Sequence, residues 1–305
     1  SSHCMGSNVC CSVSPPFDTM VQAWDFQNLP MPVFLLASCI ANAAFLWVSI
    51  RRLVRVPQSV LSRALAAQAI AELCWTVPCF LQCAVVYAKG SESAWFQGYG
   101  DDSFGCKIMG FYSVFSLVAG MGTTVIMALV TERTVMEKPL PGLTPTTIVI
   151  LALFALALLY ACLPLMGMHR YTFGHPICYY DWYDVSHSTL ILLWTVPALI
   201  AGMILFARAA LKRRVFVLHF CTFSFCWALW IPAAVIGLAD IEMPTNYILA
   251  GAVLGHGQAL VDPLLYGLVW NSAIPETDAY EAKKPESPKV SPELDKDEVK
   301  DFNLP

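Results

Sequence analysis

The chain has 305 residues, of which 57% are hydrophobic and only 13% charged, and its formal net charge is −4. A soluble domain with so few charged side chains could not cover that much apolar surface, so water-soluble classes are excluded and a bilayer is the expected solvent. The net charge averages over two faces and says little more; no nucleic-acid partner is expected.

A helix needs roughly 20 apolar residues to cross the hydrocarbon core. By that ruler an N-terminal segment, 1–29, precedes seven spans near 30–52, 59–88, 104–136, 145–167, 187–210, 215–238 and 246–270. No run shows the ten-residue alternation of a barrel strand, so the expected fold is all-α, a seven-transmembrane helix bundle over 30–270. Residues 271–305 turn to Pro, Glu, Asp, Lys and Ser and are expected to be a disordered cytoplasmic tail. Ser287-Pro288 and Ser291-Pro292 could accept phosphate there, although Ser-Pro is common in such tails.

Lys and Arg in the short loops orient the bundle. Arg51, Arg52, Arg55 and Arg63 follow span one, Arg133 and Lys138 follow span three, and Arg208, Lys212, Arg213 and Arg214 join spans five and six. The other side carries mainly Asp101, Asp102, Asp181, Asp184, Asp240 and Glu242. The positive-inside rule puts the N-terminus outside and the C-terminus in the cytoplasm. Residue 1 follows no signal-peptide pattern, so either a leader has been removed or span one directs insertion.

Most of the twelve cysteines are scattered through the spans, where a free thiol behaves as a small apolar group. Cys106 and Cys178 differ: they fall at the outer start of span three and in the outer loop between spans four and five. A bridge between them would staple that loop over the mouth of the bundle. No metal is expected from the cysteine and histidine spacings.

Asp262-Pro263-Leu264-Leu265-Tyr266 places a carboxylate and a proline inside the last span. An ionisable group there is costly unless paired, hydrated or neutralised, which makes it a functional candidate. Glu72 on span two lies at a similar depth. Two nearby acids cannot both be ionised cheaply, so they are expected to hold a cation, with Na⁺ the candidate, to share a proton, or to be hydrogen-bonded structurally. Asn42 and Gln258 are expected to join them in a hydrated polar core.

Seven spans, an outside N-terminus, the two cysteines, Glu132-Arg133-Thr134 at the inner end of span three and Asp-Pro-x-x-Tyr in span seven together resemble the rhodopsin-like, or class A, G-protein-coupled receptors. Asn42, Trp95-Phe96-Gln97-Gly98, Pro197 and Trp230-Ile231-Pro232 fall where that family keeps similar residues. The chain departs from the pattern at Thr134, in a span four without a central Trp, and in a Cys106-to-Arg133 interval two residues longer than usual.

The resemblance implies a receptor that converts binding of an extracellular small ligand into activation of a heterotrimeric G protein, with arrestin as a further partner, at the plasma membrane. Glu132, Arg133, Trp230, Pro232, Asp262, Pro263 and Tyr266 would form the switch. In it Arg133 pairs with Glu132, Pro263 bends span seven, and Trp230 above Pro232 reports what fills the pocket. Tyr112, Phe115, Ser116, Thr189, Trp230 and His256 would line the ligand site. Phe115 stands where amine receptors keep an Asp, which disfavours an amine. His256 stands where visual pigments keep the Schiff-base lysine, which disfavours covalent retinal, so no organic cofactor is expected. Gly122 stands where many relatives offer a Ser hydroxyl to the ion. The segment Leu163–Tyr171 with Pro176 and Cys178 is partly similar to prostanoid receptors and suggests a lipid-like or amphipathic ligand, although Val253 replaces their carboxylate-binding Arg.

Two other classes remain. A transporter, or another seven-helix membrane protein, could use Glu72 and Asp262 as an ion or proton site, although no internal repeat is visible. A membrane hydrolase would need convergent catalytic groups, and the six histidines are scattered; the chain is not expected to be an enzyme. Finally, only 35 residues separate Pro197 from Pro232, which leaves almost no third inner loop. Either a tight turn at 209–214 joins spans five and six, or a loop is missing from the numbering.

Overall fold

The structure, a computed structural model, describes residues 30–89, 104–167, 171–172, 179–180, 185–229, 232, 235–236, 239 and 254–267. The described part is helical apart from one short ladder. Its helices are α1 (Pro30–Arg55), α2 (Val60–Lys89), α3 (Phe104–Val135), α4 (Leu143–Cys162), α5 (Val185–Lys212), α6 (Val217–Trp227) and α7 (254–267). The first five are long and apolar enough to cross a membrane. α6, with 11 residues, and α7 are shorter as described, because most of the residues between them lie outside the described set. The expected tail, the N-terminal segment and Trp95–Gly98 also lie outside it.

The packing is that of a protein whose solvent is lipid. On α1 the outward residues are Val33, Leu36, Ile40, Trp47 and Val54, all exposed, while Ser38, Asn42 and Ser49 are buried. The buried set, which also holds Leu35 and Phe45, recurs at helical spacing and carries the polar side chains, while the outward face is apolar, the reverse of a water-facing helix. Burying serines in such a helix costs little because each hydroxyl bonds back one turn, as Ser38 does to Phe34 O (3.0 Å) and Ser49 to Phe45 O (2.8 Å). Arg51 lies over the Trp47 ring at 4.7 Å, a pairing suited to the depth where hydrocarbon meets headgroups.

Helix ends follow local chemistry. α2 begins after Ser59, whose Oγ accepts the Ser62 N–H at 3.1 Å, an N-cap bond. α3 ends where Glu137 takes φ 55°, with Lys138 N–H on Arg133 O (2.9 Å) and Glu137 N–H on Thr134 O (3.2 Å). That is a Schellman turn with a glutamate in the left-handed position glycine normally takes. Predicted span four runs to 167, but α4 stops at Cys162 because Pro164 cannot continue the ladder, and a short 3-10 turn, Pro164–Met166, follows.

α3 is the axis: it packs against α2, α4 and α5. Without a hydrophobic drive between helices in lipid, close approach comes from small residues. Ala64, Ala67 and Ala71 on α2 are buried, and Gly122 on α3 admits Leu153 of α4 so closely that a Cβ there would lie 2.3 Å from Leu153 Cδ1. Between α4 and α5, β1 (Tyr171–Thr172) and β2 (Tyr179–Tyr180) pair antiparallel and lie against α3.

The short interval between Pro197 and Pro232 is resolved as a tight turn. α5 ends at Lys212, Arg213 N–H still bonds Ala209 O (2.9 Å), and a single 3-10 turn, Arg214–Phe216, leads into α6. Phe216 is fully buried in the cluster that holds Ala209, Ala210 and Tyr266, and so pins the turn to the bundle.

Candidate functional site

Two helices carry the same local pattern, a glutamine four residues before an acid. On α2 this is Gln68 and Glu72, and on α7 Gln258 and Asp262; spacing by four puts each pair on one helix face. Gln68 Nε2 donates to Glu72 Oε1 at 2.9 Å, and Gln258 Nε2 donates to Asp262 Oδ2 at 2.9 Å. Between them stands Thr124 of α3. Its hydroxyl accepts from Gln258 Nε2 (3.3 Å) and donates to Gln68 Oε1 (3.3 Å), sharing that proton with Gly120 O (2.8 Å). All five side chains are buried. The acids of α2 and α7 are thus joined through Gln68, Thr124 and Gln258.

α6 enters the same chain: the Trp227 indole N–H donates to Gln258 Oε1. One carboxamide therefore ties α7 to α3 and α6 at once.

Below this chain, Pro263 lacks the N–H that would have bonded Ala259 O. Asn42 of α1 supplies the replacement, donating from Nδ2 to Ala259 O at 2.6 Å and to Ser38 O at 2.9 Å. Asn42 therefore stabilises the proline break from a neighbouring helix rather than joining the acids. One turn on, Tyr266 is buried between the Phe45 ring of α1 (6.1 Å, stacked) and the His219 ring of α6 (4.7 Å). His219 is itself fully buried among aromatic rings, and neither of its nitrogens has a hydrogen-bond partner.

No protein-family model matches the chain, and no curated protein matches it either. The function is therefore argued from the geometry and from the sequence pattern.

At the end of the bundle where α3 and α5 finish, the expected Glu132–Arg133 pair is not formed. Adjacent residues on a helix point about 100° apart, and each finds another partner. The buried Glu132 carboxylate meets Lys138 Nζ (3.0 Å) and Arg208 Nη2 of α5 (3.2 Å). Arg133 Nη1 instead donates to Pro139 O at 2.8 Å. The left-handed Glu137 makes this possible, because the Schellman turn swings Lys138 back over the helix end. Arg63 at the start of α2 reaches Thr147 Oγ1 of α4 (2.7 Å), so the basic residues ending α1, α3 and α5 share one end of the bundle with the starts of α2 and α4.

The expected ion site also changes. Gly122 faces Leu153 on α4, whereas a Cβ on Gly120 would lie 3.9 Å from Glu72 Oε1. Two residues along a helix is a rotation of about 200°, so these glycines look in opposite directions and Gly120 is the one beside the acids. A Na⁺ ion needs converging oxygens. Here the neighbours of Glu72 Oε1 and Asp262 Oδ2 are amide N–H donors, so these two oxygens are engaged in hydrogen bonds.

The residues expected to line a ligand site have separate partners. Phe115 stacks with Phe111 (6.3 Å) and meets Phe154 of α4 at a tilt (5.8 Å), and Tyr112 meets Phe111 edge-on at 5.5 Å. Thr189 is exposed on the first turns of α5. His256 is buried against Trp75 of α2, with ring centroids 4.9 Å apart. Among the described residues His256 Nδ1 and Ser116 Oγ are buried without a hydrogen-bond partner, the state of groups that a polar ligand could satisfy. Trp230 and Cys178 lie outside the described residues, and Pro232 is an exposed helical residue whose neighbours in the chain also lie outside them. Cys106 is fully buried and disulfide-bonded.

The sequence pattern did not single out Gln68, Thr124, Lys138 or Arg208 for the site, and among the span-six aromatics Phe225, Trp227 and Trp230 the Trp-x-Pro spacing favoured Trp230 over Trp227. The repeated Gln-x-x-x-acid spacing was a usable signal for Gln68 and for the role of Gln258. Thr124 had none, since a threonine in a membrane helix is ordinary until its neighbour is known.

Proposed function

We propose that this chain is a seven-span plasma-membrane receptor of the rhodopsin-like type, with the N-terminus outside, that couples an extracellular small ligand to a heterotrimeric G protein and to arrestin. One observation carries the reading. The helix bearing Asp262, Pro263 and Tyr266 is held on both sides of its proline: above, through Gln258 to α3 and α6, and below, through Tyr266 to His219 of α6. A bend at Pro263 would change both contacts together, which is what a conformational relay needs.

The inner end suits the receiving role. Basic residues from α1, α3 and α5 gather there, and among the described residues the guanidinium of Arg133 holds only a loop carbonyl, so a partner helix can compete for it. Ser116 Oγ and His256 Nδ1, buried without a hydrogen-bond partner among the described residues, support an amphipathic ligand entering from the opposite end. The buried acids favour a second reading, an ion or proton transporter.

The deciding experiment is a ligand screen on the full chain in bilayer nanodiscs, read by nucleotide exchange on purified G proteins, with Arg133→Ala as control. Ligand-dependent exchange lost in that variant is the expected result. Proton or cation flux in vesicles, with no exchange for any ligand, would replace the receptor reading with the transporter.

A further inference from the structure

The chain from Trp227 to the two acids has a direction, and one residue sets it. An indole N–H can only donate. Because Trp227 donates to Gln258, that carboxamide must turn its oxygen toward α6 and its NH₂ toward Asp262 and Thr124. Thr124 then receives a proton from Gln258 and gives its own to the Gln68 oxygen, which turns the Gln68 NH₂ toward Glu72. The Thr124 proton is shared between Gln68 Oε1 and the nearer Gly120 O, so the donor on α6 fixes the orientation of Gln258 and the acceptor role of Asp262 and biases Gln68 and Glu72 through Thr124. Without that donor, Gln258 can rotate and present its oxygen to Asp262. A carboxyl facing an amide oxygen must then bring its own proton, taken from water.

We infer that Trp227 is a positioning residue that sets the hydrogen-bond direction of the Gln258–Thr124–Gln68 chain, so that a displacement of α6 is read as proton uptake at Asp262 and Glu72. Trp227 suits the role. It sits at the last turn of α6, and its ring packs against the cluster formed by α3, α5 and α6, so repacking of that cluster moves the indole. The inference holds for a receptor or a transporter, since it concerns only how helix position and carboxyl protonation are linked.

The test is infrared difference spectroscopy of the full chain in nanodiscs, at the C=O stretch of protonated carboxyl groups, without ligand or G protein. Trp227→Phe keeps the ring and removes the donor. It should increase the protonated-carboxyl band relative to wild type at the same pH, with part of the gain absent in Glu72→Gln and the rest in Asp262→Asn. Trp194→Phe serves as control, because that indole donates to Val118 O and has no place in the chain; it should leave the band unchanged. Thr124→Val cuts the chain in the middle and should change the Glu72 contribution while sparing that of Asp262, a readout that remains if Trp227→Phe does not fold. An unchanged band in Trp227→Phe, an equal gain in Trp194→Phe, or an Asp262 change in Thr124→Val would each overturn the inference.

Discussion

Replacing Gly122 by alanine should destabilise the bundle, while the same change at Gly120 should not. A Cβ at position 122 would lie 2.3, 2.6 and 3.0 Å from Leu153 Cδ1, Cδ2 and Cγ. All three distances are well inside contact, and Leu153 is buried, so the side chain cannot swing into open space. Overpacking of this kind costs about 1–3 kcal/mol. At position 120 the nearest atom is Glu72 Oε1 at 3.9 Å, an ordinary contact, and alanine gains up to about 1 kcal/mol in helix propensity over glycine. Leu153→Ala alone should cost about 2–5 kcal/mol as a cavity. In the Gly122→Ala background it should cost less, because the new methyl takes part of the space, with a coupling of about 0.5–3 kcal/mol. Thermal unfolding in nanodiscs can be followed with a thiol-reactive fluorophore, since Cys226 is a buried thiol outside any disulfide. If Gly120→Ala were the destabilising change, or if the Gly122 and Leu153 effects simply added, the facing assigned to α3 would be wrong. The geometry of the buried chain would then fall with it.

Three further outcomes are expected. Asn42→Ala should cost about 1–3 kcal/mol by leaving Ala259 O without a donor, and much less in a Pro263→Ala background, where the helix regains its own N–H; equal costs in both backgrounds, measured by the same unfolding assay, would contradict the pairing. Lys138→Ala and Arg208→Ala should each be mild, because either cation still holds Glu132, whereas the double variant leaves a buried carboxylate unpaired and should lose about 3–5 kcal/mol; additive mild effects would refute the shared site. Glu137→Gly should raise thermal stability by up to about 1 kcal/mol, since glycine takes the left-handed conformation without the steric cost a side chain meets there.

The contrast between Gln68 and Arg133 explains how far the sequence could be read. Gln68 and Glu72 interact through a spacing of four, so helix geometry alone brings them together once α2 is recognised. Arg133 and Glu132 are neighbours in sequence, yet their partners come from a loop and from α5, and no local pattern specifies which helix stands beside α3 at that depth. The same holds for Gly120 and Gly122. Asn42 was expected beside the acids because it falls where the resembled family keeps an Asn, but the carbonyl left without a helical donor by Pro263 takes its amide N–H at 2.6 Å.

By itself the sequence determined the solvent, the helical class and the positions of most spans, because apolar length and local charge act over one helix at a time. It also placed the two acids at similar depth, since each sits a countable number of residues from the end of its span. Only the tertiary structure decided that Thr124 connects them, that Trp227 is the α6 aromatic hydrogen-bonded into the chain, and that Glu132 belongs to Lys138 and Arg208. Those contacts depend on the rotation of each helix about its own axis. That angle is set by close packing of small residues such as Gly122 against a particular neighbour, and one-dimensional spacing carries no record of which neighbour it is.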